Sequence, residues 1–232
     1  MDRQMARDYL GGFGINQRLA YDLMGPEVDA LAPATPIIFA AGVLGGTIAP
    51  ASSKIMATTK FPITGAIGTP FGGTTGDALK QAGYGHLVVT GRADRPVVLS
   101  LHDDNVELLD ASHVWGKDIH DTTDMLREQY GNRSSVIAIG PAGEKLAPIS
   151  FAYANKMGHL GQGGLGAIMG SKNLKAVLIR GTKGVEVADR RAFSAAANRV
   201  YTALTSLNYR DDYIRIGPSI ANWGRSSARP KL

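Results

Sequence analysis

Side chains capable of acid–base, nucleophilic or metal chemistry are few and scattered in this sequence. His86, His102, His113, His120 and His159 stand apart, and none falls in the His-x-x-x-His or His-x-Glu spacing that brings two ligands together. Asp103-Asp104 and Asp211-Asp212 are adjacent pairs, which read as solvated turn residues rather than a catalytic dyad. No serine occupies a nucleophile elbow. There is no cysteine, so this chain itself supplies no disulfide, thiolate metal ligand or iron–sulfur ligand. The residues therefore offer no complete catalytic set and no metal ligands.

Glycine is the more informative residue. Gly158-His159-Leu160-Gly161-Gln162-Gly163-Gly164-Leu165-Gly166 runs through a short apolar segment into Ser171-Lys172-Asn173 and a predicted strand. A glycine-dense loop loses chain entropy on folding. Chains accept that cost where backbone must come close to another group, most often a phosphate held by main-chain N–H groups. Residues 161–166 match the dinucleotide pattern G-x-G-x-x-G. That pattern needs a strand before it, a helix after it and an acidic residue on the next strand. Here the next predicted strand, 176–179, ends at Arg180, and the helix between is only a couple of turns long. A dinucleotide-binding module is kept as an alternative. Gly170-Ser171-Lys172 places serine before lysine, so the phosphate loop of nucleotide hydrolases is excluded.

The elements that must position these loops follow from periodicity and breakers. Residues 6–24 read as a helix interrupted by Gly11-Gly12-Phe13-Gly14 and stopped by Gly25-Pro26. Strands are predicted at 37–41, 54–59, 86–90, 97–101, 106–109, 136–139 and 176–179, with 97–101 and 106–109 forming a hairpin through Asp103-Asp104-Asn105. Thr74 and Asp77 suit a capped helix through Gln81; further helices are predicted at 122–130 and 190–205. Hairpins mixed with helices point to an α+β domain rather than strict βαβ alternation. The domain is placed at residues 6–205, with 206–232 as a tail or the start of a missing domain.

Hydrophobic residues at 44% and charged residues at 19% describe a globular chain. The net charge of +5 suits an anionic partner, but the basic residues are dispersed and aromatics are only 7%, so no nucleic acid is expected. No apolar run reaches the ~20 residues of a membrane span, and no signal peptide opens the sequence, so the expectation is cytoplasmic.

Several ordered motifs resemble the N-terminal domain of the aldehyde:ferredoxin oxidoreductase family of tungsten enzymes, which includes the tungsten subunit of a benzoyl-CoA reductase. They are Tyr9-Leu10-Gly11-Gly12-Phe13-Gly14, Pro36-Ile37-Ile38-Phe39-Ala40-Ala41-Gly42, Asp110-Ala111-Ser112-His113-Val114-Trp115-Gly116, Ile139-Gly140-Pro141-Ala142-Gly143-Glu144, and the run from Gly163 to Ala176. The resemblance implies two β-sheets with flanking helices, N-terminally truncated here, forming a platform for a tungsten (or molybdenum) bis-pyranopterin with magnesium. It implies cofactor contacts at Lys54, Gly72, Gly73, Leu160, Gly161, Gln162, Gly163 and Gly164. On this reading residues 72–73 and 161–164 face each other across a groove toward which Lys54 points. Lys54 and Gln162 stand where the family usually has arginine, so the planar guanidinium fork is lost at both. The implied activity is oxidation of an aldehyde or oxo group with ferredoxin as acceptor. The [4Fe-4S] cluster belongs to missing domains or a complementary partner chain, so the chain is expected to be inactive alone. A degenerate non-catalytic fragment is the other alternative.

Overall fold

In the computed structural model, which describes residues 3–161, 163–207 and 214, the apolar run Ile37–Ala41 forms strand β1 and is buried along its whole length. An unbroken apolar run suits a strand covered on both faces. β1 pairs antiparallel with β2 (Ile55–Lys60) and with β5 (His86–Val89). Two short strands, β3 (Ile67–Gly68) and β4 (Phe71–Gly72), both pair with β2 and complete a five-stranded sheet. Helix α1 (Arg3–Tyr9) and helix α2 (Gly12–Leu23) are separated at Leu10 and Gly11, both with positive φ, as the glycine cluster predicts. Ala20 and Met24 pack against Ile38, so α2 covers one face of this sheet.

The second sheet holds β6 (Val97–His102), β7 (Asn105–Asp110), β8 (Ser135–Ala138), β9 (Ala152–Ala154), β10 (Gly158–Leu160) and β11 (Leu174–Arg180), in the order β10-β9-β8-β11-β6-β7. Only β11 and β6 run parallel. Period-two alternation divides its residues. Leu99, Leu101, Ile137, Val177 and Ile179 share the main core with Ile37, Phe39, Ile55 and Ala57 of the first sheet. Val98, Val136, Ala138, Ala176 and Leu178 point the other way, onto Leu126 of α4 (Ile119–Tyr130). The class is therefore α+β, two sheets face to face with flanking helices. Short helices α3 (Gly76–Gln81) and α5 (Pro141–Glu144) fill the ends, and α6 (Leu165–Ser171), buried at every residue, lends Leu165, Ile168 and Met169 to the main core. Residues up to 185, apart from 48–50, make one unit; a second contains α7 (Arg190–Thr205), capped by Asp189. Most of the predicted tail, 206–232, lies outside the described residues.

Several motifs singled out in the sequence hold the fold. Gly143 and Gly170 let α5 and α6 meet backbone to backbone: a Cβ on Gly170 would stand 2.0 Å from the Gly143 carbonyl oxygen. Lys172, 3% exposed, donates from Nζ to the carbonyls of Pro33 (2.8 Å) and Gly91 (3.2 Å), and Asn173 Nδ2 donates to Ala93 O at 2.6 Å. The Ser-Lys-Asn motif thus ties the β5–β6 connection to α6. Burial without an acidic partner pushes Lys172 from 10.5 down to about 8. The unfolded chain then binds more protons between those values, so this group's contribution to stability rises with pH from about 8 to about 10.5 and is flat below 8. At 1.36 kcal/mol per pKa unit the rise is about 3 kcal/mol. Urea unfolding across that range should show the slope, and Lys172→Met should reduce it.

The Thr74–Asp77 cap is replaced by another arrangement. Thr75 is the N-cap of α3, and the Asp77 carboxylate accepts the Gly46 N–H at 2.8 Å. Strands β9 and β10 are additions: periodicity predicts neither, and β10 is formed by the first residues of the glycine-dense loop.

Candidate functional site

The two sheets bring residues 72–73 and 158–164 together at the edge where β4 lies over β10. Gly72 pairs with Ile55, whose side chain enters the core, so the α-carbon of Gly72 faces the second sheet. A Cβ there would lie 2.3 Å from the His159 carbonyl oxygen, and one on Gly73 would lie 2.4 Å from Ala154 Cβ. The loops therefore meet by direct backbone contact, not across an open groove. Leu160 is fully buried in the core and anchors the start of the loop. Gly163 and Gly164 both have positive φ, and a Cβ on either would stand 2.3 Å from its neighbour, the Phe61 ring for Gly163 and the Pro148 carbonyl oxygen for Gly164. Gln162 lies outside the described residues.

Lys54 is exposed, its ammonium 5.1 Å from the centre of the Phe71 ring. Phe71 pairs with Met56, and a Cβ on Gly12 of α2 would lie 2.9 Å from Met56 Cε, so Lys54 and Phe71 stand on the α2 face of the first sheet. The expectation that Lys54 points between the two glycine loops is thus replaced by a place on the sheet's other face.

These residues can hold an anion by their donors. Among the described residues, no main-chain acceptor takes the N–H of Gly161 or Gly163. Thr75, fully buried in the loop after Gly73, carries the side-chain oxygen Oγ1 that finds no partner. A buried orphan hydroxyl costs about 1–3 kcal/mol. Thr75→Val, which keeps the shape, should therefore raise the urea midpoint of the ligand-free chain; a lower midpoint would show that the hydroxyl is satisfied. Lys54 stands on the sheet's other face, so the set here consists of N–H and hydroxyl donors. It suits a phosphate-bearing group, and no group of three His, Cys, Asp or Glu suited to a metal ion occurs among the described residues. Nor is any described helix long and apolar enough to cross a membrane.

The dinucleotide alternative does not survive the topology. β10 pairs antiparallel with β9, and β11 lies two strands further on beyond β8, so residues 161–166 do not join parallel neighbours. Gly166 is needed for packing instead, since a Cβ there would meet Ser150 Oγ at 2.7 Å.

The sequence reading missed the aromatic group beside this loop. Phe151, Tyr153 and His159 cluster on the sheet, the His159 ring centre 5.9 Å from that of Phe151. Strand pairing of His159 with Tyr153 creates the cluster, and spacing alone does not reveal it.

Residues 1–181 match the family described as aldehyde ferredoxin oxidoreductase, N-terminal domain. The chain belongs to this family. It is 46% identical over 198 residues to a tungsten-containing aldehyde ferredoxin oxidoreductase of Pyrococcus abyssi, an alignment covering 83% of this chain and 32% of the relative. It is 28% identical over 225 residues to the WOR-like subunit of an aliphatic sulfonate oxidoreductase of Pyrococcus furiosus, covering 89% of this chain and 36% of that one. Among solved structures it resembles a chain of the active-site complex BamBC of benzoyl-coenzyme A reductase with 1,5-dienoyl-CoA. The TM-score is 0.85 at 34% identity, covering 88% of this chain and 32% of that chain. The chain therefore spans about a third of the length of these relatives.

Proposed function

We propose that this chain is the cofactor-platform portion of a tungstopterin oxidoreductase. The observation that supports the reading is the close approach of residues 72–73 to 154 and 158–159, beside the Gly161 and Gly163 N–H groups, which no main-chain acceptor takes among the described residues. Gly72, Gly73, Leu160, Gly161, Gln162, Gly163 and Gly164 would supply main-chain contacts to a pterin cofactor that carries magnesium, and Lys54 a cation on the sheet's other face. When bound, the tungsten or molybdenum centre would supply the electron transfer of aldehyde or oxo-group oxidation. This chain's residues orient the anionic groups and keep the loop backbone rigid.

These residues hold no cysteine to ligate a cluster, so on this reading the [4Fe-4S] domains lie outside them, on a complementary chain in our proposal, with ferredoxin as acceptor and the cytoplasm as compartment. The chain is inactive alone. Metal analysis and pterin fluorescence of the purified chain, with and without the complementary chain, test the reading. Tungsten and pterin in the complex, with no aldehyde-dependent dye reduction by the isolated chain, are expected. A complex free of both would overturn the platform role, and dye reduction by the homogeneous single chain would overturn the need for a partner.

A further inference from the structure

β7 ends the six-stranded sheet, and the strands beside it fix which of its backbone groups point outward. In an extended strand the N–H and C=O of one residue point to the same side, and successive residues alternate. The N–H groups of Val97, at the start of β6, and Asp103, just past its end, donate toward β11. Their acceptors are Asn173 O at 2.9 Å and Arg180 O at 3.1 Å. Odd-numbered residues of β6 therefore face β11, and even-numbered ones face β7. In the hairpin register His102, Ser100 and Val98 lie opposite Asn105, Glu107 and Leu109, which spend their main-chain groups on β6. Ala111 agrees, since its N–H donates to Pro96 O at 3.0 Å. The main-chain groups of Val106, Leu108 and Asp110 consequently point away from the sheet. No main-chain partner meets them among the described residues.

This edge lacks three common protections. Natural edge strands often carry lysine, proline or a bulge, which keep other chains from pairing with them. β7 has no lysine and no proline, and its six pairs with β6 run without a shift in register. Val106 and Leu108 share one face and are 49% and 65% exposed. Charge then selects both the partner and the register. A second β7, laid antiparallel about a twofold axis at Leu108, sets Leu108 opposite Leu108, Val106 opposite Asp110 and Glu107 opposite Leu109. All three outward residues then meet outward residues, as hydrogen-bonded pairs require. No like charges face each other. An axis at Glu107 would oppose two Glu107 carboxylates, and one at Asp110 two Asp110 carboxylates, both destabilising. An axis at Val106 or Leu109 pairs fewer of the outward residues.

We propose that β7 pairs antiparallel with β7 of a second copy of this chain, Leu108 at the twofold axis, and joins the two six-stranded sheets edge to edge. The contact is isologous, the same strand on both copies. β7 and β10 stand at opposite ends of their sheet, so the pairing is independent of the platform reading.

The test is sedimentation velocity of the full chain over a range of concentrations, joined to a crosslink that reads the register. A monomer–dimer equilibrium is expected. Leu108→Pro removes an outward N–H that β6 does not use, so it should keep the parent's circular dichroism and weaken the dimer about tenfold or more. If it fails to fold, Leu108→Lys, which opposes two ammonium groups at the axis, carries the same comparison. Ile149→Lys, at an exposed position before β9, should match the parent. The chain has no cysteine, so Leu108→Cys carries a single thiol. Hydrogen-bonded antiparallel pairs hold their α-carbons about 5.5 Å apart, within disulfide reach, so diamide should link this variant into a covalent dimer. Val106→Cys should stay unlinked, because its two copies would stand about 13 Å apart along the strands. A chain that stays monomeric to about 1 mM overturns the pairing. So does parent-like association of both Leu108→Pro and Leu108→Lys, an equal loss in Ile149→Lys, or equal crosslinking at 106 and 108. Association through this edge with the complementary chain alone would put that chain in the place of the second copy and overturn the proposal.

Discussion

Replacing Lys175 with methionine is expected to cost about 3–5 kcal/mol of folding free energy, the usual penalty for breaking a buried ion pair by removing one partner. Lys175 is fully buried, its Nζ 2.5 Å from Glu144 Oε1 and 2.7 Å from the Lys117 carbonyl. Glu144 in turn accepts the Gly116 N–H at 3.0 Å on both carboxylate oxygens. Three separated segments therefore meet at one carboxylate: the loop after β7, α5, and the first residues of β11. Burial still lowers the Lys175 pKa despite Glu144, so the pair recovers less than its desolvation costs. Domain stabilities are typically about 5–15 kcal/mol, so the single variant should lose a large share of its urea resistance. The double variant Lys175→Met, Glu144→Leu leaves no buried charge and should recover most of the loss. If the single variant's midpoint barely moves, the pair is not buried in solution as described.

Gly158→Ala should be the second large effect. Its Cβ would fall 2.1 Å from Gly73 N and 2.2 Å from Gly73 Cα, and backbone cannot swing aside as a flexible side chain does. The sheets must part where β4 lies over β10, which costs at least the ~1–3 kcal/mol of core overpacking. The damage is local. Hydrogen exchange should accelerate at residues 72–75 and 158–161 before it does in β1 or β11, and tungsten retention in the complex should fall with it. Gly184→Ala is the control: nothing lies within 4 Å of its Cβ position, so its midpoint should hold. Equal behaviour of the two variants would refute the close approach.

The α+β class, the strand at Ile37–Ala41, the hairpin through Asp103-Asp104 and helix α4 were legible in the sequence because each is written in local periodicity and turn chemistry. So was the family, since its motifs run in order along most of the chain. The short strands β9 and β10 were not legible, because three residues carry no period and exist only through pairing with neighbours. Nor was the meaning of the glycines. A glycine looks the same whether it admits a ligand or its own chain, and only the stacked sheets show that Gly72, Gly163 and Gly164 make room for His159, Phe61 and Pro148. Nothing in local spacing marks Lys172 and Lys175 as buried; the fold closes over them and supplies distant carbonyls and a carboxylate. The hydrogen-bonded set of Asn16, Gln17, Thr58, Thr69 and His86 draws on two helix positions, two strands and a loop. Spacing along the chain carries no trace of that set, because its partners lie 11 to 70 residues apart and meet only through tertiary packing.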